Sequence, residues 1–351
     1  MRHKFLNTSI IGILFLTFFF AYPSFNQAKS AEVTLRMHSF IPPVANPAKT
    51  WLTPWAKKIG KASNGRIKVQ PFWAMGLGGK PPQLLSQVKD GVVDIVWTLT
   101  GFTAGRMPKV EAFELPFVHR NALSTTLALQ DYQDKHLVKD EFKDYKILLL
   151  HAHDGAFFMT KGPIKSVADL KGMKLRVHNR LGVWLLESLG VAGIATPLMR
   201  IPPMLSKGVI EGSVLPYEIA PAVKMHELVS HFTMLSGDAP RLSTAVFSFL
   251  MNKKSYAKLP ADLKKVIDDN SGRNIARAAG ENWRAIEKPA EKLMRSKSKN
   301  KFHVLSAEES AKIKSKAGGV IERWYKEIAK KGHDGPRLLQ DAYDMIAKYE
   351  K

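Results

Sequence analysis

Arg176 is the residue whose type and setting point most directly to chemistry. The run Asp169-Leu170-Lys171-Gly172-Met173-Lys174-Leu175-Arg176-Val177 reads as a helical turn, a reversal and a short strand. Ser166, followed three residues later by Asp169, resembles a capping box, and Gly172 supplies the flexible reversal. Met173 to Val177 then alternates as a strand and delivers Arg176 near its C-terminal end, where open α/β folds bind ligands. A guanidinium placed there can pair bidentately with a carboxylate. The plainer alternative is a solvated arginine on a basic protein.

Other groupings are weaker. His151 and His153 share one face of a strand, and with Asp154 they could begin a metal site. Nothing nearby completes the ligand set and His333-Asp334 is isolated, so no metal is expected. Gly76-Leu77-Gly78-Gly79-Lys80 lacks the Walker spacing and the Ser or Thr after its lysine, and reads as a glycine turn. A hydrolase needs a nucleophile, a base and an orienter. The chain has no G-x-S-x-G, no H-E-x-x-H and no cysteine, and no spacing joins Ser243 or Ser248 to His226 or His231. The expectation is a binding protein with neither catalytic residues nor a cofactor.

The elements that would position Arg176 follow from periodicity. Val33, Leu35 and Met37 alternate with polar residues as a half-buried strand, and Arg66 to Phe72 forms the next. Val92 to Trp97 is a nearly all-apolar strand of the buried, parallel type. Asp90-Gly91-Val92-Val93-Asp94 recurs as Lys207-Gly208-Val209-Ile210-Glu211, each time after a helix opened by two prolines. A unit used twice at so long an offset suits two similarly built lobes rather than a solenoid. It makes Trp97 to Phe102 and Val214 to Glu218 counterparts that open toward a shared cleft. "YKILLLH" leads into the first crossover, Phe157-Phe158-Met159 starts the second lobe, and "STAVFSFLM" is the return crossover. Downstream the pattern is helical, with a break expected near Pro289, a capping box at Ser306 to Glu309 and an interruption suggested by Gly318-Gly319.

At 351 residues the chain suffices for two domains, and 45% hydrophobic with 24% charged residues excludes disorder. Residues 1–30 read as a secretion signal: Arg2 and Lys4, an apolar run from Ile10 to Ala21, then Ala28-Lys29-Ser30 as a cleavage site. The run is short for a membrane span; cleavage before Ala31 is expected, with an uncleaved anchor as the alternative. Without cysteine there is neither a disulfide nor a lipid-modified N-terminus, which fits a free periplasmic protein. The formal charge of +22 falls by three with the signal. Its basic residues are spread along solvated helix faces, so nucleic acid is not expected as a partner.

"GPIKSVADLKGMKLRV", "LLESLGVAGIATPL" and "LSKGVIEG" resemble the extracytoplasmic solute-binding subunits of TRAP (tripartite ATP-independent periplasmic) transporters. "EVTLRMHSF", "NGRIKVQPFWAMGLGG", "VKDGVVDIVW" and "FELPFV" fall in the same order, so the resemblance spans nearly the whole mature chain. It implies an α/β, two-lobed, type II-like periplasmic binding protein. Each lobe would hold a mixed, mostly parallel sheet flanked by helices, with long C-terminal helices. Lobe I would comprise residues 31–154 with 241–285 returning to it; lobe II would be 155–240, with 286–351 packing across both. The resemblance also implies that Arg176 grips the carboxylate of an organic acid, which the protein hands to membrane subunits. Arg180 would add a second charge or face solvent; His38, Phe40, Trp97, Thr98, Phe102, Phe157 and Tyr217 would supply a mostly aromatic lining. Many members carry Asp-Gly-Gln-Glu-Asn-Pro where this chain has Glu211-Gly212-Ser213-Val214-Leu215-Pro216. Leu215 in place of the polar asparagine leans toward a less polar acid, aromatic or branched aliphatic. A carboxylate-binding lobe of another transporter or of a signalling system is the alternative.

Overall fold

Short alternating or apolar runs bounded by glycine and proline build two sheets joined by two crossing segments. The computed structural model describes Met1, residues 31–238 and residues 241–350; the remainder of the expected signal lies outside the described residues. The strands are β1 (Val33–Ser39), β2 (Ile67–Phe72), β3 (Ile95–Leu99), β4 (Tyr145–Ala152), β5 (Phe157–Thr160) and β6 (Lys174–Val177). They continue as β7 (Ala192–Ala195), β8 (Gly212–Leu215), β9 (His231–Met234), β10 (Val246–Asn252) and β11 (Lys301–Val304). One sheet has the order β2-β1-β3-β10-β4 and the other β11-β9-β5-β8-β6-β7.

Both sheets are mixed for a topological reason. β1 runs parallel to β2 and β3, and β6 runs parallel to β7 and β8, as helical crossovers dictate. β10 returns from the other lobe antiparallel to β3 and β4, and β5 arrives antiparallel to β8 and β9. The two crossing segments bond each other midway: Ala156 N–H donates to Ser243 O at 2.8 Å and Leu242 N–H to Ala156 O at 2.8 Å. That two-stranded connection joins the two sheets.

The downstream helices brace this frame. Helix Arg273–Arg295 buries Ile275, Ala279, Trp283, Ile286 and Ala290 along one stripe. It runs through Pro289 without the expected break, because the proline removes only one intrahelical donor. Helix Ala307–Ala329 likewise continues through Gly318-Gly319, and Ser306 Oγ caps it by accepting from Glu309 N–H at 3.2 Å. Trp324 on that helix donates to Pro108 O at 3.2 Å while Arg323 pairs with Glu187 at 3.2 Å, so it touches both lobes.

Gly280 marks where helix Arg273–Arg295 presses on helix Ala122–Tyr132: a Cβ there would lie 2.6 Å from Leu123 Cα, whereas one at Gly318 meets nothing. Replacing helical glycine by alanine gains roughly 0.5–1 kcal/mol, but forcing a methyl into packed backbone costs about 1–3 kcal/mol. Chemical denaturation should therefore show Gly318→Ala stabilised and Gly280→Ala destabilised. Two changes of the same sign would contradict the packing described.

Candidate functional site

Arg176 occupies an interior strand position. It is paired to Ile194 of β7 on one side and to Ser213 of β8 on the other. Its side chain is only 2% exposed, and its Nε donates to Thr196 O at 2.8 Å. Among the described residues no carboxylate lies within ion-pair distance of it. Burial without a counter-ion pulls its pKa down to about 9, which leaves a cation at neutral pH. One end of the guanidinium is thus pinned while the rest faces an enclosed space.

That space is a cavity of about 480 Å³, counted to its mouth, between the two sheets. Trp97 and Leu99 reach it from β3, and Val214 and Leu215 from β8, so the counterpart segments of the repeated unit do share one cleft. Phe40 stacks on Trp97 with centroids 5.5 Å apart, and Phe247 stacks on Trp97 at 4.5 Å, forming an aromatic wall. Trp97 Nε1 donates to His151 Nε2 at 2.9 Å, and burial holds that histidine down at about 3, a neutral acceptor. The lining is mostly apolar with a few convergent polar groups, the usual character of small-molecule sites.

Of the residues singled out in the sequence, Arg176, Phe40, Trp97 and Leu215 line the cavity; six others lie outside its lining. His38 bonds Gln87 Oε1 through Nδ1 at 2.8 Å and accepts from Leu77 N–H at 3.3 Å. Thr98 is buried on the opposite face of β3 from Trp97, as strand alternation requires. Phe102 packs edge-on against Phe40 at 5.0 Å, behind the wall. Phe157 and Tyr217 pack on each other at 4.5 Å beneath the Arg241 guanidinium. Arg180 does not reach the cavity: its Nε and Nη2 fork onto Glu111 at 2.8 and 2.6 Å, and its side chain stays partly exposed. Among the described residues no three His, Asp or Glu side chains gather as metal ligands. His153 lines the cavity instead, with Gly155 N–H and Ala245 N–H directed at its two ring nitrogens. Burial lowers its pKa well below the ordinary value, and a doubly protonated ring would oppose both donors.

Several lining residues were not singled out in the sequence, His178, Phe247 and Glu218 among them. His178 lies two residues beyond Arg176, and its Nε2 is buried with no hydrogen-bond partner among the described residues, Glu114 Oε1 lying at 3.9 Å; the alternation continuing from Arg176 was the signal for it. Phe247 was read only as part of a crossover strand. Glu218 ends the segment expected to open toward the cleft, but as a lone acid within the apolar run Val214 to Val223 it was not named as a contact.

Polar contacts across the cleft hold the lobes together. Besides the Arg180–Glu111 fork, Asn179 Nδ2 donates to Glu114 Oε2 at 2.7 Å and Asn46 Nδ2 to Glu218 O at 2.9 Å. Asn179 also caps helix Arg180–Ser188 by accepting from Gly182 N–H at 2.9 Å, which fixes the entire segment.

The sequence profile for bacterial extracellular solute-binding protein, family 7, matches residues 39–328. A TRAP solute-binding protein from a marine metagenome, described as specific for aromatic acid ligands and crystallised with 3-hydroxybenzoate, is 45% identical. The alignment covers 92% of this chain and 100% of that one, with a TM-score of 0.88. A TRAP solute-binding protein from Rhodoferax ferrireducens, in complex with copurified benzoate, is 41% identical over 90% of this chain and 98% of its own, with a TM-score of 0.87. The outer membrane transporter protein TsaT of Comamonas testosteroni is 28% identical over 322 residues, 91% of this chain and 93% of that protein.

The Arg180–Glu111 pair generates a test of the closed arrangement. Removing one partner of a buried pair costs about 3–5 kcal/mol if the other stays buried. Opening the cleft lets Glu111 reach water and avoids that cost. Arg180→Ala should therefore raise the ligand-free radius of gyration in small-angle scattering while leaving the circular dichroism spectrum unchanged. An unchanged radius would show that the fork does not hold the lobes.

Proposed function

This chain belongs to the bacterial extracellular solute-binding proteins of family 7 and is a TRAP solute-binding subunit, so we propose that Arg176 grips the carboxylate of an aromatic acid in the interlobe cavity. Members of this class capture organic acids and deliver them to membrane permease subunits. The single observation carrying the residue assignment is a buried guanidinium, pinned through Nε alone, that opens into an aromatic-walled space. His178 Nε2, one residue beyond β6, is a second group within the cavity for the carboxylate end. Phe40, Trp97 and Phe247 supply apolar area for a ring, and Leu215 leaves that part of the wall without an amide. The aromatic acids named for the relatives at 41% and 45% identity support the same ligand class.

The lobe boundaries are proposed at 31–154 with 241–285, and at 155–240, with 286–351 across both. Family members and structural neighbours are binding proteins, and we assign this chain no catalytic step. TRAP solute-binding proteins are periplasmic; export with cleavage before Ala31 is the finer proposal. N-terminal sequencing of the periplasmic protein should begin near Ala31, and recovery of Met1 would contradict it.

The ligand assignment is tested by calorimetry. Benzoate should bind more tightly than succinate or galacturonate, and the reverse order would overturn the aromatic reading. Arg176→Ala strands the ligand's charge and should cost on the order of 3–5 kcal/mol, which is roughly two to three and a half decades of affinity. Arg176→Lys should retain part of the binding, because a point charge remains without the planar fork. A folded Arg176→Ala that binds within about threefold of the parent, well short of one tenfold step, removes this residue from the site.

A further inference from the structure

The cavity also contains a carboxyl group that gripping a carboxylate leaves unused. Glu218 lines it from the loop after β8, is 2% exposed, and its Oε2 has no hydrogen-bond partner among the described residues. Its main chain is held on both sides: the N–H donates to Glu287 Oε1 at 2.9 Å, and the carbonyl accepts from Asn46 Nδ2 at 2.9 Å. The carboxyl group is therefore presented on a fixed support with its own bonding capacity free. Arg176 is level with Ser213 in the sheet register, five residues before Glu218, so the two groups enter the cavity from different levels.

The charge state follows from the surroundings. No lysine, arginine or histidine forms an ion pair with Glu218 among the described residues, and the nearby Glu287 is itself an acid engaged by Arg241 at 3.1 Å. Burial, with Glu287 adding to it, raises the Glu218 carboxyl well above the ordinary range. An ionised Glu218 would also repel an anionic ligand held by Arg176. A neutral carboxyl offers one O–H donor and an acceptor oxygen in the same group. That pair of functions matches a hydroxyl, which both accepts and donates.

Resting on the carboxylate-binding role of Arg176, we propose that Glu218 is a specificity-determining residue that hydrogen-bonds a hydroxyl on the ring of the bound acid. A buried polar group built to meet a hydroxyl discriminates against the analogue lacking it, because that analogue leaves the group unpaired. The bound species is then a hydroxyaryl carboxylate: anion at Arg176, hydroxyl at Glu218, ring against Trp97 and Phe247.

The test is calorimetric titration of the mature protein and its Glu218→Gln and Glu218→Leu variants with benzoate, 3-hydroxybenzoate, 4-hydroxybenzoate and 3-(aminomethyl)benzoate. The readout is the ratio of hydroxylated to unsubstituted affinity, which a merely structural role would not move. The better hydroxybenzoate should exceed benzoate by about tenfold or more in the parent, the difference one well-made hydrogen bond supplies. The ratio should fall to near one in Glu218→Leu and to an intermediate value in Glu218→Gln, whose amide still donates and accepts. A ratio unchanged in both variants overturns the proposal, as does equal loss of both acids in Glu218→Gln. A parent preference for the aminomethyl acid would show an ionised Glu218 and overturn it too. Failure of the parent to bind any of the four acids overturns the carboxylate-binding reading itself, a distinct result.

Discussion

A guanidinium buried in a mostly apolar cavity, with no carboxylate within ion-pair distance among the described residues, is the constraint on which this structure turns. Moving a charge out of water costs several kcal/mol even after relaxation, and attraction to a partner is what offsets it. Among the described residues the Arg176 side chain has one hydrogen bond, to Thr196 O, and its strand lies between two others. The fold thus carries a standing penalty that an incoming carboxylate relieves. In this account the same penalty sets selectivity, because a neutral molecule of equal shape would leave the charge stranded.

The surrounding elements make that arrangement tenable. The cavity forms only where two sheets face each other, so its polar groups are dehydrated by closure and each contact gains strength from the lower dielectric. Arg180 with Glu111, and Asn179 with Glu114, join the lobes through residues that are not themselves part of the cavity lining. The Ala156–Ser243 bridge carries both crossing segments, so the lobes can part with little disturbance of either sheet. Glu287 ties the back of that connection to the long helix, through Glu218 N–H and the Arg241 guanidinium.

Local periodicity made much of this readable in advance. The capping turn before β6 and the position of Arg176 on a short strand follow from residues only a few positions apart, and Asp169 does accept from Ser166 N–H at 2.9 Å. The twice-used helix–glycine–strand unit located the two halves of the cavity wall. Arg180 was different: its fate depends on Glu111, sixty-nine residues earlier in the chain and on the other lobe, a distance at which sequence pattern carries no information. Phe102, Phe157 and Tyr217 were sensible as aromatic loop residues, but packing sets them behind the wall. Pro289 and Gly318-Gly319 failed as helix breakers because burial of the helix stripe outweighs a lost donor or a weak propensity.

Where the ligand's charge resides can be seen in a crystal structure of the mature protein with benzoate. Both carboxylate oxygens should lie roughly 2.7–2.9 Å from the Arg176 guanidinium nitrogens, with the ring against Trp97 and Phe247. Benzoate in the cavity with its carboxylate turned away from Arg176, or benzoate bound elsewhere while the cavity stays without it, would contradict that placement.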